Sequence, residues 1–87
     1  MPRSTGRVVF VSRNGGMIVV QSDEGFTVVE LLGQEGECPK GASVVADWTA
    51  LGSEPLFMGR EEFDAYFQGT WGSVDDAISV ARRTGGG

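Results

Sequence analysis

Eighty-seven residues, 40% of them apolar and including five Phe, two Trp and one Tyr, make one domain with a compact core, because a chain of this length buries only about 60% of its unfolded surface. A lone Cys and no His exclude an internal disulfide and a Cys/His metal site, so no metal and no cofactor is expected, and a reducing cytoplasmic setting is the simplest compartment. Seven basic against twelve acidic side chains give a net charge of -5, which opposes general attraction to phosphate backbones; no membrane-spanning run and no secretory apolar stretch in MPRSTGRVVFVSRNGG is seen, so no membrane association is expected.

From Arg7 to Ser12 the run RVVFVS is rich in β-branched residues, and Asn14-Gly15-Gly16 supplies the positive-φ positions of a tight turn, which predicts a first hairpin. MIVVQS is the second strand and ends at Asp23-Glu24-Gly25; FTVVELL is the third and runs up to Gly33. Strand parity places Met17 and Val19 on one face with Val28, Glu30 and Leu32, and turns Ile18, Val20, Val29 and Leu31 to the other, the interior. The polar segment GQEGECPKG predicts a loop across the end of the sheet and the most mobile part of the chain. ASVVADWTAL then reads as a fourth strand, Gly52-Ser53 as a turn, and EPLFMG as a short fifth strand that Pro55 keeps near an edge.

Residues 61 to 72, EEFDAYFQGTWG, place Phe63, Ala65 and Phe67 on one face of a sixth extended segment, with Asp64 and Tyr66 on the other. Ser73 followed by Val74-Asp75-Asp76 is a helix N-cap with acidic residues in the first turn; Arg82-Arg83 suit the C-terminal dipole, and Gly85 stops the helix. Val74, Ala77, Ile78 and Ala81 form one narrow apolar stripe, which a three-turn helix must bury to persist. The fold class that follows is mainly β: a small five- to six-stranded OB-like antiparallel barrel with one C-terminal α-helix. Residues 1–87 are then a single domain, with the barrel over 6–60, an extra strand or extended segment over 61–72, the helix over 73–84 and a flexible tail over 85–87.

Between Gly6 and about residue 50 the chain resembles the cold-shock domain, whose opening pattern is G-x-V-K-W-F-N-x-x-K-G-F-G-F-I followed by a D-D-G turn and V-F-V-H. Gly6 and Val8 match the opening, Gly16 the glycine after the lysine, Val20 the isoleucine, and Asp23-Glu24-Gly25 the turn; farther on, Gly41 and Val44 in PKGASVVADW match the family's D-E-G-x-x-V-x-F step. The resemblance implies an OB-like barrel that binds single-stranded nucleic acid on stacked aromatics. At those positions Phe10 stands for the motif tryptophan, but Val9 and Val11 replace its neighbours, Met17 and Val19 replace two phenylalanines, and Glu30 and Leu32 replace a phenylalanine and a histidine. Each lost stacking platform removes about 1–3 kcal/mol of affinity, and Glu30 adds a charge that repels phosphate.

The altered face is aliphatic and needs a cover, either the segment after residue 60 or a second copy of the chain. Met17, Val19, Val28, Glu30 and Leu32 are therefore the candidate docking or partner-binding face. Arg7, Phe10, Arg13 and Phe26 are the candidates for residual nucleic-acid binding, and Tyr66 and Trp71, with their polar handles, for an aromatic groove. Gly15-Gly16 lacks phosphate-loop spacing, Cys38 has no His to act as its base and reads as a loop thiol, and the pairs Glu61/Glu62 and Asp75/Asp76 suit structural roles. The tail RRTGGG resembles the diglycine ends of ubiquitin-like proteins, but on a barrel rather than a β-grasp it reads as a flexible end. The expected function is a non-enzymatic, cytoplasmic OB-like interaction module, monomer or homodimer, with a protein partner; the alternative is a weak single-stranded nucleic-acid binder.

Overall fold

The structure, a computed structural model, describes residues 3–33 and 37–85. Six strands, β1 (Ser4–Val11), β2 (Met17–Ser22), β3 (Gly25–Leu31), β4 (Ser43–Ala46), β5 (Gly52–Met58) and β6 (Glu61–Trp71), precede one helix, α1 (Val74–Gly85). They close a barrel in the order β1-β2-β3-β6-β5-β4, with every pair antiparallel. Two three-stranded meanders, β1–β3 and β4–β6, are joined by β1 against β4 and by β3 against β6. β6 is bonded to both β3 and β5, so the barrel closes through it.

The interior follows the alternation of the strands. Val8, Ile18, Val20, Val29, Leu31, Val44, Leu56, Phe63, Ala65 and Phe67 meet in one core, so the predicted inward faces of β2 and β3 are the observed ones, and the face of β6 that carries Phe63, Ala65 and Phe67 is the inward one. Trp48 fills the end of the barrel near Thr70: its ring stacks on Phe67 with centroids 5.8 Å apart, and its indole N–H donates to the Ser4 carbonyl at 2.8 Å. Beside it the exposed Thr70 donates to the Trp48 carbonyl at 3.3 Å and takes the hydroxyl of the fully buried Thr27 at 2.8 Å, so the buried hydroxyl is satisfied. Gly6 makes room for this plug: a Cβ there would stand 2.5 Å from Val20 Cγ1 and 3.1 Å from Trp48 Cζ2.

Several local expectations are corrected. β4 is only four residues long, because Asp47 accepts hydrogen bonds from the Thr49 hydroxyl at 2.6 Å and the Thr49 amide at 3.1 Å. That side-chain turn ends the strand and tips Trp48 inward, so the break falls at 47–50 and Gly52-Ser53 begins β5. In the first hairpin Gly15 alone has a positive φ (79°); Asn14 instead accepts the Ser12 hydroxyl and the Gly16 amide, each at 2.9 Å. Leu32 lies just past the end of β3. Of the loop predicted to be mobile, 34–36 lie outside the described residues, but Cys38 is buried in the core rather than being a plain loop thiol. Gly85 is the last residue of α1, and 86–87, the rest of the expected flexible tail, lie outside the described residues.

Candidate functional site

The outer face of β1–β3 is where the resemblance places a ligand, and α1 lies on it. Ser73 caps the helix, its hydroxyl accepting the Asp76 amide at 3.1 Å, with Asp75 and Asp76 in the first turn and Arg82 and Arg83 in the last. Ala77 and Ala81, both fully buried, press on Met17, Val19 and Val28, of which none is more than 1% exposed. Small side chains on the helix and larger ones on the sheet let the two backbones approach closely. Ile78 and Val80 flank the contact and stay half-buried; Val74, expected in the stripe, is half-buried and not part of that cluster.

Two β-bulges shape this face. The register of β1 against β2 shifts between Val8 and Phe10, which turns Phe10 outward beside Val19 instead of inward with Val8. The Arg82 guanidinium then sits 5.4 Å from the Phe10 ring centroid, so a cation from the chain's own helix occupies the stacking position. On β6 the shift falls between Gly69 and Phe67, opposite Val28 and Val29; Trp71 folds back over Gly69, where a Cβ would meet its ring at 3.1 Å, and pairs with Phe26 across the strands.

The four residues expected to hold nucleic acid are thus only partly together. Arg7 opposes Gln21 on β2, and Gln21 opposes Phe26 on β3, so Arg7 and Phe26 lie in one cross-strand row with Gln21 between them. Phe10 and Phe26 both border the helix contact, and Arg13 is exposed in the hairpin loop, away from that row. Of the residues expected on a docking face, Met17, Val19 and Val28 are beneath α1 and closed to any other partner while it is in place. Glu30, half-buried, takes the Gln68 amide at 3.5 Å, and Leu32 is 43% exposed beyond the helix. Tyr66 and Trp71 do not share a groove: Trp71 packs at the helix margin, whereas Tyr66, 42% exposed, faces outward opposite Glu30.

A hollow of about 350 Å³ that sequence reasoning did not foresee lies where β5 and β6 meet the end of β3, lined by Leu32, Ser53, Glu54, Pro55, Glu62, Asp64 and Ala65. The Leu32 amide donates to the Asp64 carbonyl at 2.9 Å and so holds the leucine at its rim. The alternation of Glu62, Asp64 and Tyr66 along β6 puts two carboxylates and a ring in one outward row beside it.

Cys38 is pushed above the usual thiol pKa by burial first and by the carboxylates of Glu37 and Glu61 second, which makes it a poor nucleophile. Among the described residues no group of three or more His, Cys, Asp or Glu is placed to hold a metal ion, and no helix is long and apolar enough to cross a membrane. No family model, no curated protein and no solved structure matches the chain.

Proposed function

We propose that the chain is a non-enzymatic OB-like interaction module that works on a protein partner in the cytoplasm. The barrel supports the OB-like part of this reading: β1 pairs with both β2 and β4, and of the cold-shock-like positions Gly6 falls in β1, Gly16 immediately before β2, and Asp23-Glu24-Gly25 at the turn into β3. The observation that carries the functional part is the burial of Met17, Val19 and Val28 beneath α1. OB folds present the face of strands 2 and 3 to oligonucleotides, and here that face is already used as core. Titration of the chain with labelled oligo-dT and oligo-U at physiological salt tests this. Binding is expected to be no tighter than the non-specific range of about 10⁻⁴ M, and submicromolar binding would overturn it.

The alternative, a weak single-stranded nucleic-acid binder, is favoured by one observation: the outward row of Arg7, Gln21 and Phe26 offers a cation, an amide and a ring at strand spacing. In that case affinity falls steeply with salt and is lost in Arg7→Ala.

A further inference from the structure

We propose that this module receives its partner on the outward face of β6 with the adjoining parts of β5 and β3, and that the partner presents an extended cationic segment carrying an aliphatic side chain. The inference rests on the reading of the chain as a protein-binding module and adds the surface and the chemistry of what it takes.

Three observations converge on that face. The first is apolar exposure. Leu32 and Tyr66 are two of the three large hydrophobic side chains most exposed in the described residues; the third, Leu51, is in the turn before β5. Leu32 and Pro55 line the hollow, and Tyr66 stands on the same outward row of β6 as its carboxylates Glu62 and Asp64. A hollow of about 350 Å³ is at the small end of ligand pockets, room for one or two side chains rather than a cofactor.

The second is charge. Glu54, Glu62 and Asp64 line the hollow and Glu30 stands opposite Tyr66. The cations adjoining this face in the fold are Arg3, held 4.5 Å over the Phe57 ring beside Glu62, and Arg60 in the turn between β5 and β6. A surface so biased disfavours phosphate and acidic segments and attracts cationic ones, where complementary charge governs choice of partner and speed of encounter.

The third is spacing. Glu62, Asp64 and Tyr66 project from one strand at two-residue intervals, the repeat with which an extended segment presents its own alternate side chains. Lysines two positions apart match the carboxylates, and a leucine two positions farther on, on the same face of the extended segment, reaches the apolar rim at Leu32 and Pro55. Because the barrel is closed, recognition here runs through side chains, not through addition of a strand to an open edge.

The test is a titration of the isotope-labelled full chain with a pentapeptide carrying lysine at its first and third positions, leucine at its fifth and serine between, followed through backbone amide shifts, with the peptide that has glutamate in place of lysine as control. The expected result is saturable shifts at Leu32, Ser53, Glu54 and Glu62 to Tyr66, absent with the control peptide and weakened about tenfold or more in the variant carrying Glu62→Lys and Asp64→Lys. Both positions are exposed, so the variant keeps its fold, and an unchanged spectrum elsewhere checks that. Leu32→Ser should weaken binding by a factor that does not change with salt, which separates the apolar anchor from the charges. Shifts spread over every acidic residue, including Asp75 and Asp76, with no loss in the double variant would overturn the proposal. So would shifts at the same residues that follow the concentration of the chain alone, which would make a second copy the occupant. Peptide shifts confined to another face would sink the site while leaving the module reading standing; submicromolar oligonucleotide binding would sink that reading itself.

Discussion

Replacing Ala81 by Glu should lift α1 off the barrel. Ala81 is fully buried against the sheet, so a glutamate there must either stay in an apolar layer without a partner, at a cost of several kcal/mol, or take the helix with it into water. What is lost on undocking is bounded by the burial of Met17, Val19 and Val28, each contributing at most about 1.5–3 kcal/mol. A helix of 12 residues does not persist alone, so undocking melts it as well. A loss of about 3 kcal/mol, within the range for a polar group buried without a partner, lowers Tm in a domain of this size by on the order of 10–20 °C. Ser79→Glu places the same charge on the exposed side of the same helix and should shift Tm by a few degrees at most. Thermal unfolding by circular dichroism measures both variants, and an apolar dye together with size-exclusion chromatography reports the uncovered strands through dye binding and self-association. If Ala81→Glu melts like Ser79→Glu and binds no dye, the helix does not seal this face and the central argument about function falls with it.

Gly6→Ala should cost about 1–3 kcal/mol through overpacking at Val20 and Trp48, and Val20→Ala, which removes the nearest atom, should recover part of that loss; strict additivity of the two in denaturant unfolding would show that they do not clash. Thr70→Val leaves the buried Thr27 hydroxyl without its partner and should cost about 1–3 kcal/mol, whereas the double change with Thr27→Val should cost less than the single one. Cys38 favours its neutral form in the fold, so the folded state holds the thiol proton to higher pH than the unfolded chain does. Its contribution to stability is complete below the ordinary value of 9.0 and is lost as pH rises through the elevated one, so the stability gap between the wild type and Cys38→Ala should narrow above pH 9. A gap that stays constant over that rise would mean the thiol titrates normally.

The faces of β2, β3 and β6 were legible because a period of two is written directly into MIVVQS, FTVVELL and FDAYF, and one face of each had to be buried. The helix was legible from its caps and its stripe. What escaped was set by single residues acting against pattern. Asp47 bends a run that otherwise reads as one long strand, and a carboxylate hydrogen-bonding two residues ahead is not a feature of hydrophobic periodicity. The bulge near Val9, which lets Phe10 face outward where the resemblance places it, is not written in the alternation of RVVFVS, since one extra residue flips everything beyond it. The hollow by Leu32 was invisible for another reason: it joins the end of β3 to the middles of β5 and β6, and only the closed barrel brings them side by side.

Closing two meanders against each other also sets an order in time. The seams that complete the barrel join distant parts of the chain, Ser4 to Ala46 and Phe26 to Trp71, and such non-local pairings place a barrel among the slower folders, in the range of milliseconds to seconds. Until residues 61–85 take their places, the β1–β3 meander has a bare strand at β3 and an uncovered Met17, Val19 and Val28 surface beside it, and β6 and α1 cover the two from neighbouring positions in the sequence. A nascent or truncated chain ending before Glu61 therefore carries both hazards at once, an open edge for strand pairing and an apolar face for collapse, and is the species a cell would have to chaperone or degrade.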